Sequence, residues 1–357
     1  MTLDFSAYRN KKVFLTGHTG FKGSWMLAWL QELGALVKGY ALAPNDENAL
    51  YTGIQGDLLC HSVIADIRDK ERFESELLTF QPDFIFHLAA QPLVRLSYEI
   101  PLETWEVNVL GTTYLLEAAR KLEKPCAVVL ITTDKVYENK EWHYPYRESD
   151  RLGGYDPYSA SKAGAELVIA SYRNSFFNPA SYQHHKKSIA SARAGNVIGG
   201  GDWAKDRIIP DIVRALQKGE DVIVRNPAAI RPWQHVLDPL GGYLQLGLKM
   251  QQDPIAFSGA WNFGPSQQDV LNVETLVKLA IRFWGSGTYA KPALENQVHE
   301  ATLLKLDISK TVEELGWAPN WNATRAIERT IQWYSAIFKD TENALHVISN
   351  QIKEFSS

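Results

Sequence analysis

Short apolar runs alternate with helix-like stretches from residue 11 to about residue 195. The apolar runs are KKVFLTG, ALVKGYAL, SVIADI, PDFIFHLAA, AVVLITT and KSIASARAG, and such continuous hydrophobicity is typical of strands that are buried on both faces. The helix patterns between them are FKGSWMLAWLQELG (with Gly34 as its predicted stop), DKERFESELLTFQ, TWEVNVLGTTYLLEAARKLE and SASKAGAELVIASYRNSF. This alternation predicts an α/β fold, a Rossmann-type doubly wound parallel sheet that binds ligands at the carboxyl ends of its strands.

The second half of the chain has a different residue composition and shorter helix patterns. Loops rich in Gly, Pro and Trp follow residue 196, with shorter helix patterns in IIPDIVRALQKG and VETLVKLAIRFW and a terminal helix pattern in TENALHVISNQIKEFSS. We therefore predict a dinucleotide-binding Rossmann domain over residues 1–195. Residues 196–357 should form mainly a smaller substrate-binding lobe, from which short segments can return to the sheet.

Composition narrows the class of protein. The 357 residues carry 22% charged side chains, a net charge of −4 and no basic run, which argues against nucleic-acid binding. The apolar runs are too short to span a bilayer, and MTLDFSAYRNKK lacks the apolar core of a signal peptide. Cys60 and Cys126 are expected to be reduced core thiols of a cytoplasmic protein. The nine histidines show no metal-ligand spacing, so no metal site is expected.

A glycine-rich loop, TGHTGFKG, follows the first predicted strand and opens the first helix. In a dinucleotide site the three glycines permit a tight turn, close approach of the pyrophosphate and close helix–strand packing, while the helix N-terminus offers N–H groups to the phosphates. The predicted cofactor contacts here are Gly17, His18, Thr19, Gly20, Phe21, Lys22 and Gly23. The imidazole of His18 could contact the phosphates, although a partly exposed loop position is the simpler expectation.

The acidic residue that usually binds the adenosine ribose is missing. It should end the second strand, where the chain reads Tyr40-Ala41-Leu42-Ala43. Asn45 or Asp46 could replace it, and no arginine stands there to favour a 2′-phosphate. The sequence therefore favours NAD and leaves NADP open.

Other strand ends supply further candidate contacts. Asp66 and Ile67 end the third strand, as an adenine contact or as a strand-end cap. Small residues after the fourth strand would let the cofactor pass, and the contacts predicted there are Leu88, Ala89, Ala90 and Gln91. Asn108 is a polar residue on an apolar helix pattern, so it either braces the site or satisfies a buried carbonyl.

Two segments carry the candidate chemistry: TTDKVY at the end of the fifth strand and YSASK about twenty residues later. Tyr158 and Lys162 are i and i+4 neighbours on one helical face, where an ammonium can lower the pKa of a phenol. The same spacing occurs at residues 8/12 and 182/186, but only Tyr158 follows a strand that ends in small polar residues. Asp134 and Lys135 indicate that more than hydride transfer takes place.

The order of these motifs resembles a known family. TGxxGFxG, HLAA, NVxGT, TTDxVY, YxxSK and RxGNVIGGGD occur as in the extended short-chain dehydrogenases that remodel nucleotide sugars, and the likeness extends to LKLDISKTVEELGWAPNW near the C-terminus. Within this class the chain is most similar to the nucleoside-diphosphate-glucose 4,6-dehydratases, and among these to the branch that acts on CDP-glucose, because of TTDKVY and the GHTGFKG loop.

The resemblance implies roles for these residues on a bound nucleotide sugar with NAD as cofactor. Tyr158 would take the proton of the 4-hydroxyl, Lys162 would hold the nicotinamide ribose and lower the phenol's pKa, and Thr133 would bind the 4-oxygen. Asp134, if protonated, would protonate the departing 6-hydroxyl. Where dTDP-glucose dehydratases carry a glutamate base for C5, this chain has Lys135, either as the base or as a charged partner of Asp134 or the substrate. The implied cofactor contacts also include Thr132, Tyr158 and Lys162.

The resemblance also implies a set of substrate contacts: Asn196, Arg207, Ile208, Pro210 and Arg231, with Arg95 and Arg193 as weaker candidates. It further implies a homodimer, with a tetramer as the alternative, formed through two helices per subunit. Leu115, Leu116 and Ala119 would supply part of that seam, although core packing explains their spacing equally well.

Two other functions fit parts of the sequence. A nucleotide-sugar 4-epimerase would share the Tyr158–Lys162 pair and NAD, but it would have no use for Asp134 and Lys135. A non-enzymatic NAD-sensing Rossmann protein would have no need of an intact tyrosine and lysine.

Overall fold

The architecture of the chain is seen in a computed structural model that describes residues 5–44, 46–205, 207–291 and 304–357. The strands in these ranges are β1 Lys12–Thr16, β2 Leu36–Ala41, β3 His61–Ile64, β4 Phe84–His87, β5 Cys126–Ile131, β6 Lys187–Ala194, β7 Val197–Ile198, β8 Val222–Ile223, β9 Ile230–Arg231, β10 Gln234–His235, β11 Gly259–Phe263, β12 Leu271–Asn272 and β13 Tyr289–Ala290. The α-helices are α1 Phe21–Glu32, α2 Leu50–Gly53, α3 Lys70–Phe80, α4 Val94–Glu99, α5 Pro101–Trp105, α6 Gly111–Arg120, α7 Pro157–Ser175, α8 Tyr182–His185, α9 Ile208–Lys218, α10 Leu237–Gln252, α11 Val273–Trp284, α12 Ala323–Phe338 and α13 Ala344–Ser356.

Seven strands form one parallel sheet in the order β11-β6-β5-β4-β1-β2-β3. The chain winds outward in one direction through β2 and β3 and in the other through β4, β5 and β6. The order therefore reverses between β1 and β4, which is where doubly wound sheets bind their ligands. The predicted Rossmann-type fold is confirmed.

Both faces of the sheet are covered, because alternate residues of each strand point to opposite sides. On β1, Val13 and Leu15 join the larger core with α1, α10 and α12, whereas Phe14 joins a second core with α3, α6 and α7. Leu115, Leu116 and Ala119 are fully buried in this second core. Their proposed place in a dimer seam was therefore wrong, and core packing explains them.

The sequence analysis missed the two-residue strands of the second half and three longer elements. β11 lies beside β6 as the outermost strand of the sheet. α10 is buried almost all round, so LDPLGGYLQLGLKMQQ carries no clear amphipathic period, and α12 packs in the larger core. The division of the chain at residue 195 stays a prediction.

The helix predicted over TWEVNVLGTTYLLEAARKLE is interrupted. Its middle, Glu106–Leu110, is a π-helical turn between α5 and α6. Such single turns are frequent at functional sites, and this one carries Asn108. Every helix in the described ranges is too short or too polar to span a bilayer.

Candidate active site

In the glycine loop between β1 and α1, two glycines are closely packed against protein backbone and a third has open space beside it. A Cβ on Gly17 (φ +73°) would lie 2.7 Å from the backbone N of Ala89, and one on Gly23 would lie 2.0 Å from the carbonyl O of Gly17. A Cβ on Gly20 would meet only that carbonyl, at 3.4 Å. Protein packing thus explains Gly17 and Gly23, whereas the open face of Gly20 fits a ligand that passes close to the backbone.

The first turn of α1 faces the same opening. No side chain caps its N-terminus at Gly20, so the N–H groups of Phe21, Lys22 and Gly23 have no helical partner and are placed to bind phosphate. Thr19 closes the loop, because its hydroxyl donates to the carbonyl of Leu42 over 2.9 Å. The loop therefore fits the predicted dinucleotide.

The side chain of His18 turns away from this opening. It is fully buried, its Nε2 lies 2.8 Å from Oγ of Ser62, and its ring meets that of Tyr51 edge-on. A Cβ on Gly39 would lie 2.4 Å from the imidazole, so β2 must have glycine there. Burial lowers the pKa of His18 to about 4. The expected half-exposed position was wrong, and only the backbone of His18 remains available to the cofactor.

The end of β3 holds the carboxylate of Asp66 in a local hydrogen-bond network. The carboxylate of Asp66 accepts hydrogen bonds from the backbone N, Nε and Nη2 of Arg68, at 2.8, 3.0 and 2.6 Å. Although burial raises the pKa of Asp66, these bonds and the charge of Arg68 lower it overall. Asp66 therefore caps the strand end, and its contact with adenine stays a prediction. Ile67 is buried next to it, 3.0 Å from where a Cβ on Gly111 would lie.

Of the two residues predicted to replace the ribose acid, Asp46 lies in the described part of the chain. Asp46 accepts hydrogen bonds from the backbone and side-chain nitrogens of Asn48, at 2.8 and 3.1 Å. Asn45, the other predicted substitute, lies outside the described residues. The choice between NAD and NADP at this position remains as the sequence left it.

Asn108 performs both of the functions considered for it. Its Oδ1 accepts from the backbone N of Gln91 at 2.9 Å, and its Nδ2 donates to the carbonyl of Gln91 at 3.1 Å and to Oγ of Ser161 at 2.9 Å. Ser161 in turn donates to the carbonyl of Tyr158 at 2.7 Å. One buried amide therefore holds the loop after β4 against the catalytic helix α7, while Leu88, Ala89 and Ala90 lie half-buried along that loop.

A buried histidine extends this network to the glycine loop. Nδ1 of His87 lies 2.8 Å from Oγ1 of Thr16, which accepts from the backbone N of Ala89 at 3.1 Å. Nε2 of His87 lies 3.3 Å from Oγ1 of Thr112, whose hydroxyl donates to the carbonyl of Asn108 at 2.8 Å. Burial and the charge of Lys162 lower the pKa of His87 to about 3. A neutral imidazole therefore links β1, β4 and the π-helical turn.

The TTDKVY segment turns sharply where β5 ends. Thr133 caps the 3₁₀ turn Asp134–Val136: its hydroxyl oxygen accepts from the backbone N of Lys135 at 3.4 Å and donates to Oδ1 of Asp134 at 3.0 Å. Opposite this turn, α7 begins at Pro157 with Asp156 as its N-cap. Its lysine, Lys162, donates from Nζ to the carbonyl of Ile131 over 3.0 Å, so the helix is attached to β5 directly before the turn.

Burial governs the titration of these groups. It raises the pKa of Asp134, while the charge of Lys135, the hydrogen bond from Thr133 and the charge of Lys22 oppose it. It lowers the pKa of Lys162 to about 8 against the opposing charge of Glu166. Asp134 is thus poised to hold a proton, as an acid requires.

The phenol of Tyr158 departs from expectation. Burial raises its pKa to about 12, while the hydrogen bond with Thr133 and the charge of Arg207 lower it and Asp134 raises it. The pKa thus lies above its ordinary value, contrary to what the Tyr158–Lys162 spacing predicted.

Two cations from different parts of the chain reach this centre. Lys22 interacts electrostatically with Arg207, Asp134, Lys162 and Asp202, and its pKa is lowered to about 8, chiefly by burial. Its ammonium group therefore faces the catalytic groups, although the sequence analysis grouped it with the phosphate contacts. Arg207, which precedes α9, forms an ion pair with Asp202 at 2.8 Å. It also interacts electrostatically with Tyr158, which raises the pKa of Arg207.

A groove lies next to the turn that carries Asp134. It is lined by Gly195, Pro232, Gly264, Pro265, Ser266, Gln267, Val270, Lys305 and Leu306, and a Cβ on Gly195 would lie 3.2 Å from Oδ2 of Asp134. Asn196 and Arg231 adjoin two of these residues in sequence. Ile208 and Pro210 lie in the first turn of α9.

Two arginines that were weaker candidates differ in their surroundings. Arg95 is exposed on α4. Arg193 is buried in an ion pair with Glu166 at 2.8 Å, so it is not free to contact a substrate. Sequence reasoning missed Glu166, although its position four residues after Lys162 places it on the same helical face as Tyr158. The described residues contain no cluster of acidic, histidine or cysteine side chains that could hold a metal ion.

The fold and site together define a Rossmann-type protein of the extended short-chain dehydrogenase class. The chain belongs to the GDP-mannose 4,6 dehydratase family, whose model matches residues 14–330. It is 48% identical over 355 residues to the CDP-glucose 4,6-dehydratase of Salmonella typhimurium, covering 99% of each chain.

Solved structures support the fold. The dTDP-glucose 4,6-dehydratase DesIV from Streptomyces venezuelae, solved with NAD bound, has a TM-score of 0.76 at 24% identity and covers 94% of this chain and 99% of its own. A UDP-glucose 4-epimerase from Thermotoga maritima has a TM-score of 0.74 at 21% identity and covers 93% and 100%. Dehydratases and epimerases thus share this architecture.

A matched pair of glycine substitutions tests the dinucleotide site. Gly23→Ala should cost at least about 1–3 kcal/mol of unfolding free energy, because its methyl group would overlap a backbone carbonyl. Gly20→Ala should cost less than about 1 kcal/mol, yet weaken NAD binding at least about tenfold, because its methyl group would stand where the pyrophosphate passes. Thermal unfolding and titration with NAD give the two quantities. Unchanged NAD affinity in Gly20→Ala would exclude the proposed path of the cofactor.

Proposed function

We propose that this protein is an NAD-dependent hydro-lyase that converts CDP-glucose to CDP-4-keto-6-deoxyglucose and water. The observation that carries the proposal is Asp134, a buried carboxyl with a raised pKa on a turn that faces Tyr158 and Lys162. An epimerase needs no such acid. The 48% identity to a CDP-glucose 4,6-dehydratase supports both the reaction and the nucleotide.

The chain's own residues provide the cofactor site. The open face of Gly20 and the first turn of α1 would hold the pyrophosphate, and the loop Leu88–Gln91 would border the nicotinamide half. Lys162 would bind the nicotinamide ribose, as in the family. When bound, NAD supplies a hydride acceptor for C4 of the sugar and afterwards a hydride donor for C6.

The first proton transfer belongs to Tyr158. Its phenolate oxygen takes the proton of the 4-hydroxyl as C4 is oxidised, and the hydroxyl of Thr133 donates a hydrogen bond to the 4-oxygen. Because burial holds the pKa of Tyr158 at about 12, the opposing charge of Arg207 and the hydrogen bond with Thr133 matter, since both favour the anionic phenolate. Lys162 would add to this effect, as the resemblance to the family implies.

Elimination follows from the acidity that a 4-ketone gives to C5. Lys135, in its uncharged amine form, takes the C5 proton, the 6-hydroxyl leaves with a proton from Asp134, and the products are water and a C5–C6 double bond. That bond is then saturated by hydride at C6 and a proton at C5. The sum of the steps is the loss of one water from the sugar, with the cofactor unchanged.

The substrate's nucleoside diphosphate is assigned to the groove beside Asp134. Asn196, Arg207 and Arg231 would supply polar and cationic groups to the diphosphate, for which an arginine fork is well suited. Ile208 and Pro210 would pack beside the nucleotide. Residues 1–195 would thus hold the cofactor, and residues 196–357 mainly the nucleotide sugar.

We further propose a homodimer through α5, the π-helical turn and α7, with apolar residues other than those first expected. Leu102, Trp105, Leu110 and Leu167 are exposed by 41–72% of their surface. Trp105 packs on Gly164, whose added Cβ would lie 3.0 Å from the indole ring. A monomeric mass in sedimentation equilibrium would refute this dimer. A cytoplasmic location stays a prediction that suits the two free thiols.

Turnover of a panel of nucleotide sugars tests the proposed reaction. CDP-glucose should give the base-induced absorbance of a 4-keto-6-deoxy sugar, more efficiently than dTDP-, UDP- or GDP-glucose. Tyr158→Phe should lower kcat by about 10²–10⁴ while sparing NAD binding. Recovery of only the C4 epimer would assign the protein to the epimerases instead, and efficient turnover of another nucleotide would correct the base.

Isotope exchange tests Lys135 as the C5 base. CDP-6-deoxyglucose can be oxidised at C4 but has no leaving group, so in D₂O the wild type should exchange its C5 proton. Lys135→Met should lose this exchange by about 10²-fold or more, yet still reduce NAD. Lys140→Met, an exposed lysine paired with Glu138 at 2.6 Å, is the matched control. Undiminished exchange in Lys135→Met would transfer the base role to Asp134 or a water.

A further inference from the structure

A buried ion pair lies directly behind the catalytic turn. Glu166 of α7 and Arg193 of β6 form two hydrogen bonds, from Nε at 3.0 Å and from Nη2 at 2.8 Å, and each side chain is at most 4% exposed. Ser191 and Thr132 also donate to this carboxylate, at 2.8 and 2.6 Å. Four donors therefore satisfy both carboxylate oxygens.

The bond from Thr132 anchors the start of the catalytic segment. Thr132 directly precedes Thr133, and its hydroxyl is committed to Oε1 of Glu166. One turn earlier on α7, Lys162 holds the carbonyl of Ile131. The helix that carries Tyr158 therefore contacts the end of β5 at two consecutive residues.

The arginine of the pair anchors the other end of the segment. Nη1 of Arg193 donates to the phenolic oxygen of Tyr137 at 2.8 Å, and Tyr137 donates to Oδ1 of Asn262 at 2.7 Å. The guanidinium carbon lies 5.1 Å from the centre of the Tyr137 ring. Asn262 is itself fixed, since its Nδ2 donates to the carbonyls of Tyr146 and Asp307, both at 3.0 Å.

Thr133, Asp134 and Lys135 lie between these two anchors. We propose that the Glu166–Arg193 pair is a positioning device that clamps Thr132 and Tyr137 and so fixes the acid and the base of elimination against Tyr158. Neither member of the pair touches the reacting atoms. A buried ion pair contributes little net stability, because the cost of desolvation offsets the attraction, whereas it does impose a fixed geometry on the groups bonded to it.

The clamp predicts an unequal effect on the two halves of the reaction. Oxidation at C4 depends mainly on Tyr158 and Lys162, which α7 holds without the clamp. It uses the clamped segment only through the hydrogen bond of Thr133 and the cofactor contact implied for Thr132. Elimination depends on where Asp134 and Lys135 stand, and a displacement of about 1 Å can cost on the order of 10²-fold in rate. This expectation rests on the proposed dehydratase function.

The test removes one anchor at a time and leaves the ion pair in place. Tyr137→Phe and Thr132→Val each delete one anchoring hydroxyl. Thr132→Ser keeps a hydroxyl at position 132 and should retain that anchor. Tyr8→Phe and Thr330→Val are matched controls, because each deletes a buried hydroxyl that donates over 2.7 Å to a carbonyl far from the site. Oxidation is measured alone with CDP-6-deoxyglucose, and NADH accumulation is followed during a single turnover of CDP-glucose.

Each anchor variant should lower kcat on CDP-glucose by about 10- to 100-fold and accumulate NADH, while its oxidation of CDP-6-deoxyglucose falls by a clearly smaller factor. The double variant should lower kcat by less than the product of the two single fold-changes, because both hydroxyls act on one segment. Equal loss of oxidation and elimination, or no loss of either, would overturn the proposal and leave the pair a structural one.

Hydrogen exchange separates failure of the clamp from failure of the proposed function. In both anchor variants the amides of residues 133–137 should lose protection, while those of residues 158–166 keep theirs. This readout needs no substrate. Unchanged protection of residues 133–137 would refute the clamp whatever reaction the wild type catalyses, whereas inactivity of the wild type on every nucleotide sugar would refute only the function.

Discussion

The exclusion of water from charged groups is the constraint on which this site depends. Asp134, Lys162, Glu166 and Arg193 are all buried where the parallel strands end, and an uncompensated charge there would be costly. Each group is compensated differently: Glu166 and Arg193 by one another, Lys162 by a carbonyl, and Asp134 by a raised pKa that favours its neutral form. The same burial that raises the pKa of the Asp134 carboxyl thus makes pairing necessary for its charged neighbours.

Local sequence signals predicted the features that local chemistry dictates. The glycines at 17 and 23 were recognisable because a tight turn and a close helix–strand contact admit no other residue, and the alternation of strands and helices gave the sheet. Asp134 and Tyr158 could be assigned from their motifs alone. Proposing their roles requires only the residue type and its position in the motif.

Features that depend on tertiary contacts were not predictable in this way. The orientation of His18 follows from the missing side chain at Gly39, on a neighbouring strand. Arg193 looked like a substrate contact because nothing in its own segment shows that Glu166 lies opposite it. The raised pKa of Tyr158 reflects the depth of the site, whereas the spacing to Lys162 reports only helical geometry.

Asn262 has a consequence for how the molecule is made. It lies on β11, the last of the seven sheet strands along the chain, yet it accepts the hydrogen bond of Tyr137, the last residue of the TTDKVY segment. Every side chain assigned to proton transfer has left the ribosome about a hundred residues before Asn262 emerges. During synthesis the nascent chain therefore carries all of these reactive groups before β11, the strand that completes their support. The site can take its final geometry only after β11 has been made and has paired with β6.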